Sequence, residues 1–166
     1  VTGASRGIGK AVAAELLRRG ANVTITARKP EPLVEAAREL QTAAAGDAEV
    51  LALPGNAGDS DSRGRAVADT IDKFGSLDIL INNTGINPVY GALMDADLDA
   101  VKKLFDTNVV ATLGFVQEAY RGWMGEHGGA IVNVSSIASR LGGGGLLVPY
   151  SATKGALDTF TIGLSE

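Results

Sequence analysis

At 166 residues the chain suits one domain with a core of its own. An apolar share of 45% beside 20% charged residues is that of a soluble globule, and no apolar run reaches the roughly 18 residues of a membrane span. The absence of cysteine and the single histidine exclude disulfides, thiolate catalysis and Cys- or His-rich metal sites. A net charge of −4 without any Lys/Arg run argues against nucleic acid as a partner. No signal peptide precedes Val1, so a reducing, cytoplasmic setting is expected, with neither a membrane nor a metal as partner. Val1 falls inside one pattern and Glu166 inside another. The expectation is therefore a single domain over 1–166, incomplete at both ends.

A short apolar strand opens the chain and runs into Gly3, Gly7 and Gly9. Ile8, Val12 and Leu16 then recur with Ala13 and Leu17 beside them, a one-sided helix stopped by Gly20. Residues 22–27 alternate as a strand. Pro30 and Pro32 suit a helix start, and Leu33, Ala37, Leu40 and Ala44 keep helical spacing. Residues 49–53 form a strand, Val67, Ile71 and Phe74 mark a helix ended by Gly75, and 78–82 form a short buried strand. A long helical stretch runs from about 97 to 124, a strand covers 130–136, a glycine-rich loop spans 141–147, and a last helix starts near Tyr150. Five strands alternating with helices predict a parallel α/β sheet covered on both faces.

The opening TGASRGIGK admits three readings. A mononucleotide loop needs G-x-x-x-x-G-K-[ST], but Ala4 and Ala11 stand where its first glycine and its hydroxyl belong. A hydrolase elbow matches at Gly3-Ala4-Ser5-Arg6-Gly7, with His127 the sole candidate base. A dinucleotide cradle uses glycines for a tight turn, for backbone approach to a diphosphate and for close helix packing, with the diphosphate over the helix N-terminus. The G-x-x-x-G-x-G spacing differs from the common G-x-G-x-x-G.

Four further stretches bear on the choice. Residues 82–85 read NNTG, Asn108 lies in FDTNVV, 131–136 read IVNVSS, and 150–154 read YSATK. With TGASRGIG, and in this order along the whole chain, they resemble the classical short-chain dehydrogenase/reductase family, and most its 3-oxoacyl-carrier-protein reductase type. The resemblance implies a doubly wound Rossmann sheet that lacks its C-terminal strands here, and an enzyme acting on CH–OH or C=O groups.

It further implies Asn108, Ser136, Tyr150 and Lys154 as the catalytic set. Tyr150 and Lys154 are four apart and share a helix face. A free phenol titrates near ~10, and an ammonium about 4 Å away favours its ionised form, so Tyr150 is placed as proton donor. Ser136, ending its strand, is placed to hydrogen-bond the carbonyl oxygen, with Ser135 on the opposite strand face. Asn108 is a poor residue for a helix interior and is expected to connect the lysine to solvent through water. Cofactor contacts are expected from Gly3, Ser5, Arg6, Gly7, Ile8, Gly9, Arg28, Asn56, Ala57, Asn83 and Gly85, besides Tyr150 and Lys154. Two positions depart from the family pattern: Thr84 replaces an alanine in the NNTG stretch, and Asn56, after the strand over 49–53, replaces an acidic residue. No acid follows Thr26-Ala27, whereas Arg28 can pair with a 2′-phosphate, so NADP(H) is expected over NAD(H). The partners implied are a small carbonyl or alcohol substrate, such as a 3-oxoacyl thioester, and further copies of the chain in a tetramer or dimer. Trp123 and Phe115 read as core or subunit interface, and His127 as solvated. The alternative is an NAD(P)-binding sensor or assembly module without turnover.

Overall fold

The computed structural model describes residues 1–165. The opening segment leads into α1 (Gly7–Arg18), then β1 (Val23–Ala27), α2 (Pro30–Gln41), β2 (Val50–Pro54), α3 (Ser60–Phe74) and β3 (Ile79–Asn82). A short 3₁₀ turn (Leu93–Asp95) precedes one long helical stretch. It comprises α4 (Leu98–Phe105), a π turn (Asp106–Val110), α5 (Ala111–Ala119), a second π turn (Tyr120–Met124) and α6 (Gly125–His127). β4 (Ala130–Asn133), α7 (Ala138–Leu141), a 3₁₀ turn (Gly142–Gly145) and α8 (Val148–Leu164) complete the chain.

All strand pairs are parallel. β1 pairs β2 with Val23 opposite Val50, and β3 pairs β4 with Ile79 opposite Ala130. The opening segment joins these pairs. Thr2 bridges to Thr26, Ala4 N–H donates to the Thr26 carbonyl at 3.0 Å, and Thr2 N–H donates to the Ile81 carbonyl at 2.9 Å. Counting that segment as the first strand, the spatial order is 3-2-1-4-5. The chain winds outward on one side, then crosses over to begin the other. The crevice between the opening segment and β3 is therefore the switch point where such sheets take ligands.

Helices lie on both faces for reasons visible in β1. Val23 and Ile25 point into a cluster with Ala13 and Leu17 of α1 and Leu33, Ala36 and Leu40 of α2. Thr24 points the other way, its hydroxyl in hydrogen-bond contact at 2.9 Å with the Thr70 hydroxyl of α3, which donates to the Ala66 carbonyl. A second cluster joins Ala66 of α3, Leu80 of β3, and Phe115, Val116 and Ala119 of α5. Leu17, Ile25 and Leu33 are fully buried, each contributing about 1.5–3 kcal/mol of transfer free energy. Local signals set the ends. Pro30 opens α2, the Asp59 carboxylate caps α3 by accepting Ser62 N–H at 2.7 Å, and Gly75 at φ 79° closes it.

One expectation needs correction. The strand foreseen over 130–136 ends at Asn133, with a last ladder bond from Val134 N–H to the Asn82 carbonyl at 2.9 Å. The chain leaves the sheet there because α8 claims it: Lys154 Nζ donates to the Val134 carbonyl at 2.7 Å. Ser135 and Ser136 thus sit in a loop, and strand alternation does not orient them. The long helical stretch foreseen from about 97 to 124 is present and unbroken from Leu98 to His127, and it widens twice into π turns, the first of which carries Asn108. Among the described residues no helix is long and apolar enough to cross a membrane.

Candidate active site

Every predicted site residue except Asn108 and the pair on α8 follows the carboxyl end of a strand. The glycine loop follows the opening segment, Arg28 follows β1, Asn56 and Ala57 follow β2, Asn83 and Gly85 follow β3, and Ser136 follows β4. One rim of the sheet thus collects them, as a doubly wound fold requires.

The glycine loop is fixed by the neighbouring NNTG segment. Asn83 Nδ2 donates to the Thr2 and Gly3 carbonyls at 2.9 and 3.1 Å. The Thr2 hydroxyl accepts from the backbone N–H groups of Asn83 and Thr84, both at 3.0 Å. Gly3 adopts φ 66°, and a Cβ there would lie 3.0 Å from Thr84 Cα. Gly9 is tighter still: its Cβ would come within 2.5 Å of Asn83 Nδ2 and 2.9 Å of the Gly3 carbonyl oxygen. Glycine is therefore required at Gly9 for close helix-on-strand approach. Gly7 at φ 57° faces open space, and no side chain caps the first turn of α1 at Arg6. That bare, uncapped helix start is what a diphosphate needs. Ser5 and Ile8 flank it, Ile8 being 64% exposed. Lys10 is paired with Glu39, not aimed at the loop.

Arg6 and Arg28 are exposed, and neither makes an ion pair among the described residues. Asn56 folds its Oδ1 back to accept Gly58 N–H at 3.1 Å, which leaves its amide hydrogens free. Arg63 Nη1 donates to the Ala57 carbonyl at 2.9 Å and holds the turn. Asn56 and Ala57 border a hollow of about 60 Å³. A larger cavity of about 210 Å³, lined by Val1, Val23, Thr70, Phe74 and Ile79, lies at the opposite, amino end of the strands.

Among the expected catalytic residues, Asn108 is fully buried in the first π turn. Its Oδ1 accepts Ile86 N–H at 2.8 Å, and its Nδ2 donates to the Ile86 carbonyl at 3.0 Å and the Thr153 hydroxyl at 3.2 Å. A Cβ on Gly85 would lie 3.6 Å from Asn108 Oδ1 and 3.7 Å from Lys154 Nζ, so three predicted residues converge. Lys154 Nζ lies 5.8 Å from the centroid of the Tyr150 ring. Burial pushes the Lys154 amine below the ordinary lysine range, and the Asp158 carboxylate opposes that shift. Ser136 Oγ accepts Ala138 N–H at 3.2 Å, which leaves its own hydrogen to donate. Its loop is pinned by α7, which packs along α8. The nearby Ser135 and Ser139 hydroxyls, with Arg140 and Lys154, hold the Asp158 carboxyl below its usual value. The loop after β3 meets the glycine-rich loop where Gly91 N–H donates to the Leu146 carbonyl at 3.0 Å.

Thr2, Thr153 and Asp158 take part without having been singled out. Their partners lie on other elements or across a helix turn, and the only advance signal is a polar residue inside an apolar stretch. His127 stays outside the site: it is exposed, stacks on Trp123 at 3.8 Å and sits just before β4, at the opposite rim from Ser5. The hydrolase pairing is thereby removed. Phe115 is core, and Trp123 packs at the edge of the same cluster.

The comparisons agree with this geometry. The family model described as short chain dehydrogenase matches residues 1–166. The chain is 37% identical over 171 residues to the uncharacterized oxidoreductase YgfF of Escherichia coli, covering 99% of this chain and 67% of that protein. It is 39% identical over 159 residues to the L-rhamnose 1-dehydrogenase (NAD(P)(+)) of Azotobacter vinelandii, covering 95% and 61%. The crystal structure of a short chain dehydrogenase from Burkholderia cenocepacia in complex with NADP superposes with a TM-score of 0.88 at 34% identity, covering 99% of this chain and 65% of that one. The chain thus spans about two thirds of the length of these relatives. With the motifs, the sheet order and the rim in agreement, the chain belongs to the short chain dehydrogenase family.

Proposed function

We propose that the chain supplies the cofactor cradle and the catalytic groups of an NADP(H)-dependent oxidoreductase that interconverts a carbonyl and an alcohol. The observation that carries this reading is the meeting of Gly85, Asn108 and Lys154 beside Tyr150, at the rim that also holds the bare start of α1.

The residues present fit a dinucleotide. Gly3 to Gly9 and the first turn of α1 would hold the diphosphate, and Asn56 and Ala57 would flank the adenine. Arg6 and Arg28 would pair with a 2′-phosphate, and Lys154 would bind the nicotinamide ribose. When bound, the cofactor supplies or accepts the hydride. Two open cations and no acid after β1 favour the phosphorylated form, with NAD(H) as second choice. The B. cenocepacia relative with NADP points the same way.

In the reducing direction Tyr150 donates its phenolic proton to the carbonyl oxygen, and Ser136 donates a hydrogen bond to that oxygen as negative charge grows on it. The Lys154 cation stands beside the ring, and its burial strengthens its field. Asn108 fixes the loop carrying Gly85 and Ile86. Exposed Val110, Tyr120 and Ile162 on the long helical stretch and α8 support assembly with further copies of the chain. A reducing, cytoplasmic setting fits a chain without cysteine.

The test is NADPH consumption by the full-length enzyme with an acetoacetyl thioester, phenanthrenequinone and cyclohexanone. Reduction of one of them, with Tyr150→Phe lowering kcat by about a hundredfold or more while NADPH still binds, supports the reading. Activity that survives Tyr150→Phe overturns it. Reduction of the thioester would identify the 3-oxoacyl reductase type, and better kcat/KM with NADH would refute the charge argument.

A further inference from the structure

Thr153 is completely buried in α8, between Tyr150 and Lys154, yet it carries a hydroxyl. That hydroxyl donates its one hydrogen to the Tyr150 carbonyl at 2.7 Å, so toward Asn108 it presents only lone pairs. Asn108 Nδ2 occupies that position, donating at 3.2 Å, and the other two bonds of the amide go to the backbone of Ile86. Each end fixes the other. Turning the Asn108 amide over would set its oxygen against the Ile86 carbonyl and its hydrogens against the Ile86 N–H. Thr153 would then face an acceptor with no hydrogen left to give. One hydroxyl therefore links three separate elements: the loop after β3, the π turn and the turn of α8 that bears Tyr150.

We propose that Thr153 is a positioning residue for catalysis, holding the Tyr150 turn in register with Asn108 and the Gly85–Ile86 loop. The proposal rests on the reading of Tyr150 as proton donor. Thr153 touches neither substrate nor cofactor in that reading and acts through its two neighbours. A threonine that only filled space would serve equally well as valine, which has the same shape. A threonine that relays orientation is replaceable by serine and not by valine.

The test uses the full-length enzyme and two readouts. Amide hydrogen exchange at Ile86, whose N–H is held by Asn108 Oδ1, reads the linkage without any turnover. Thr153→Val is expected to speed it about tenfold or more, and Thr153→Ser to leave it within about threefold. Steady-state kinetics, with whichever of the three carbonyl probes the wild type reduces fastest, reads the catalytic consequence. Thr153→Val is expected to lower kcat ten- to hundredfold with NADPH affinity within about threefold, and Thr153→Ser to restore at least half of the lost rate. Unchanged exchange at Ile86 in folded Thr153→Val overturns the linkage. Lost protection or lost kcat in Thr153→Ser overturns it equally, including where the valine variant does not fold. A wild type inactive on all three probes defeats the oxidoreductase reading instead, while exchange still decides the linkage.

Discussion

The two halves of the rim are built by opposite means. On the proposed cofactor side, around Gly3, Gly7 and Gly9, the surface is backbone, kept clear by the lack of side chains. On the proposed catalytic side, around Asn108, Thr153 and Lys154, it is a chain of side-chain hydrogen bonds between separate elements. The first half is sensitive to an atom added and the second to an atom removed. Backbone suits a ligand part that is always the same, whereas side chains set the reacting geometry.

Adding one carbon at Gly9 is the severest way to break the first half. Gly9→Ala puts a Cβ against Asn83 and the Gly3 carbonyl, and backbone must move. The expected result is a loss of about 1–3 kcal/mol in urea unfolding, with NADPH affinity down a hundredfold or more. Gly163, whose Cβ would meet nothing within 4 Å, is the control: Gly163→Ala should be neutral or stabilising by up to about 1 kcal/mol. Equal effects at the two glycines would dissolve the contrast.

A smaller effect is expected from charge on the same half. Arg28→Asp removes a cation from the exit of β1 and installs an acid. NADPH affinity should fall about ten- to hundredfold and NADH affinity should rise, measured by fluorescence titration of both. A fall for both cofactors alike would place Arg28 outside the site.

The smallest effect lies on the catalytic half and is read by pH. The Asp158 carboxyl is held below its ordinary value by the Ser135 and Ser139 hydroxyls, so its contribution to stability is present above about pH 4, the unfolded value. It is lost as pH falls through the lowered folded value. Asp158→Asn should therefore melt lower than wild type at neutral pH and converge with it under acid. Parallel melting curves from neutral to acid pH would show that Asp158 does not tie the Ser136 loop to α8.

The same contrast explains what could be read in advance. Backbone-built features announce themselves, because glycine and proline leave local marks: the opening loop, the start of α2 at Pro30 and the end of α3 at Gly75 all stand where expected. Tyr150 and Lys154 were legible because their contact is one helix turn long. Thr2 and Thr153 were not, since the first meets residues 81 and 82 positions away and the second one 45 away. The exit of β4 was misread for a related reason. Nothing in IVNVSS says that the Val134 carbonyl belongs to a lysine twenty residues on. Asn108 stood out as a poor helix former, but its partner Ile86 lies in a loop without a strong pattern.

The first π turn carries one further consequence. A π turn holds one residue more than an α turn, and each residue turns a helix by about 100°. Deleting a single residue between Asp106 and Val110 would let the widened turn close into an ordinary α turn, so Phe115 and Val116 downstream would keep their face toward the sheet while Asn108 lost its placement. The extra residue therefore acts locally: it sets where Asn108 stands without disturbing the packing that follows.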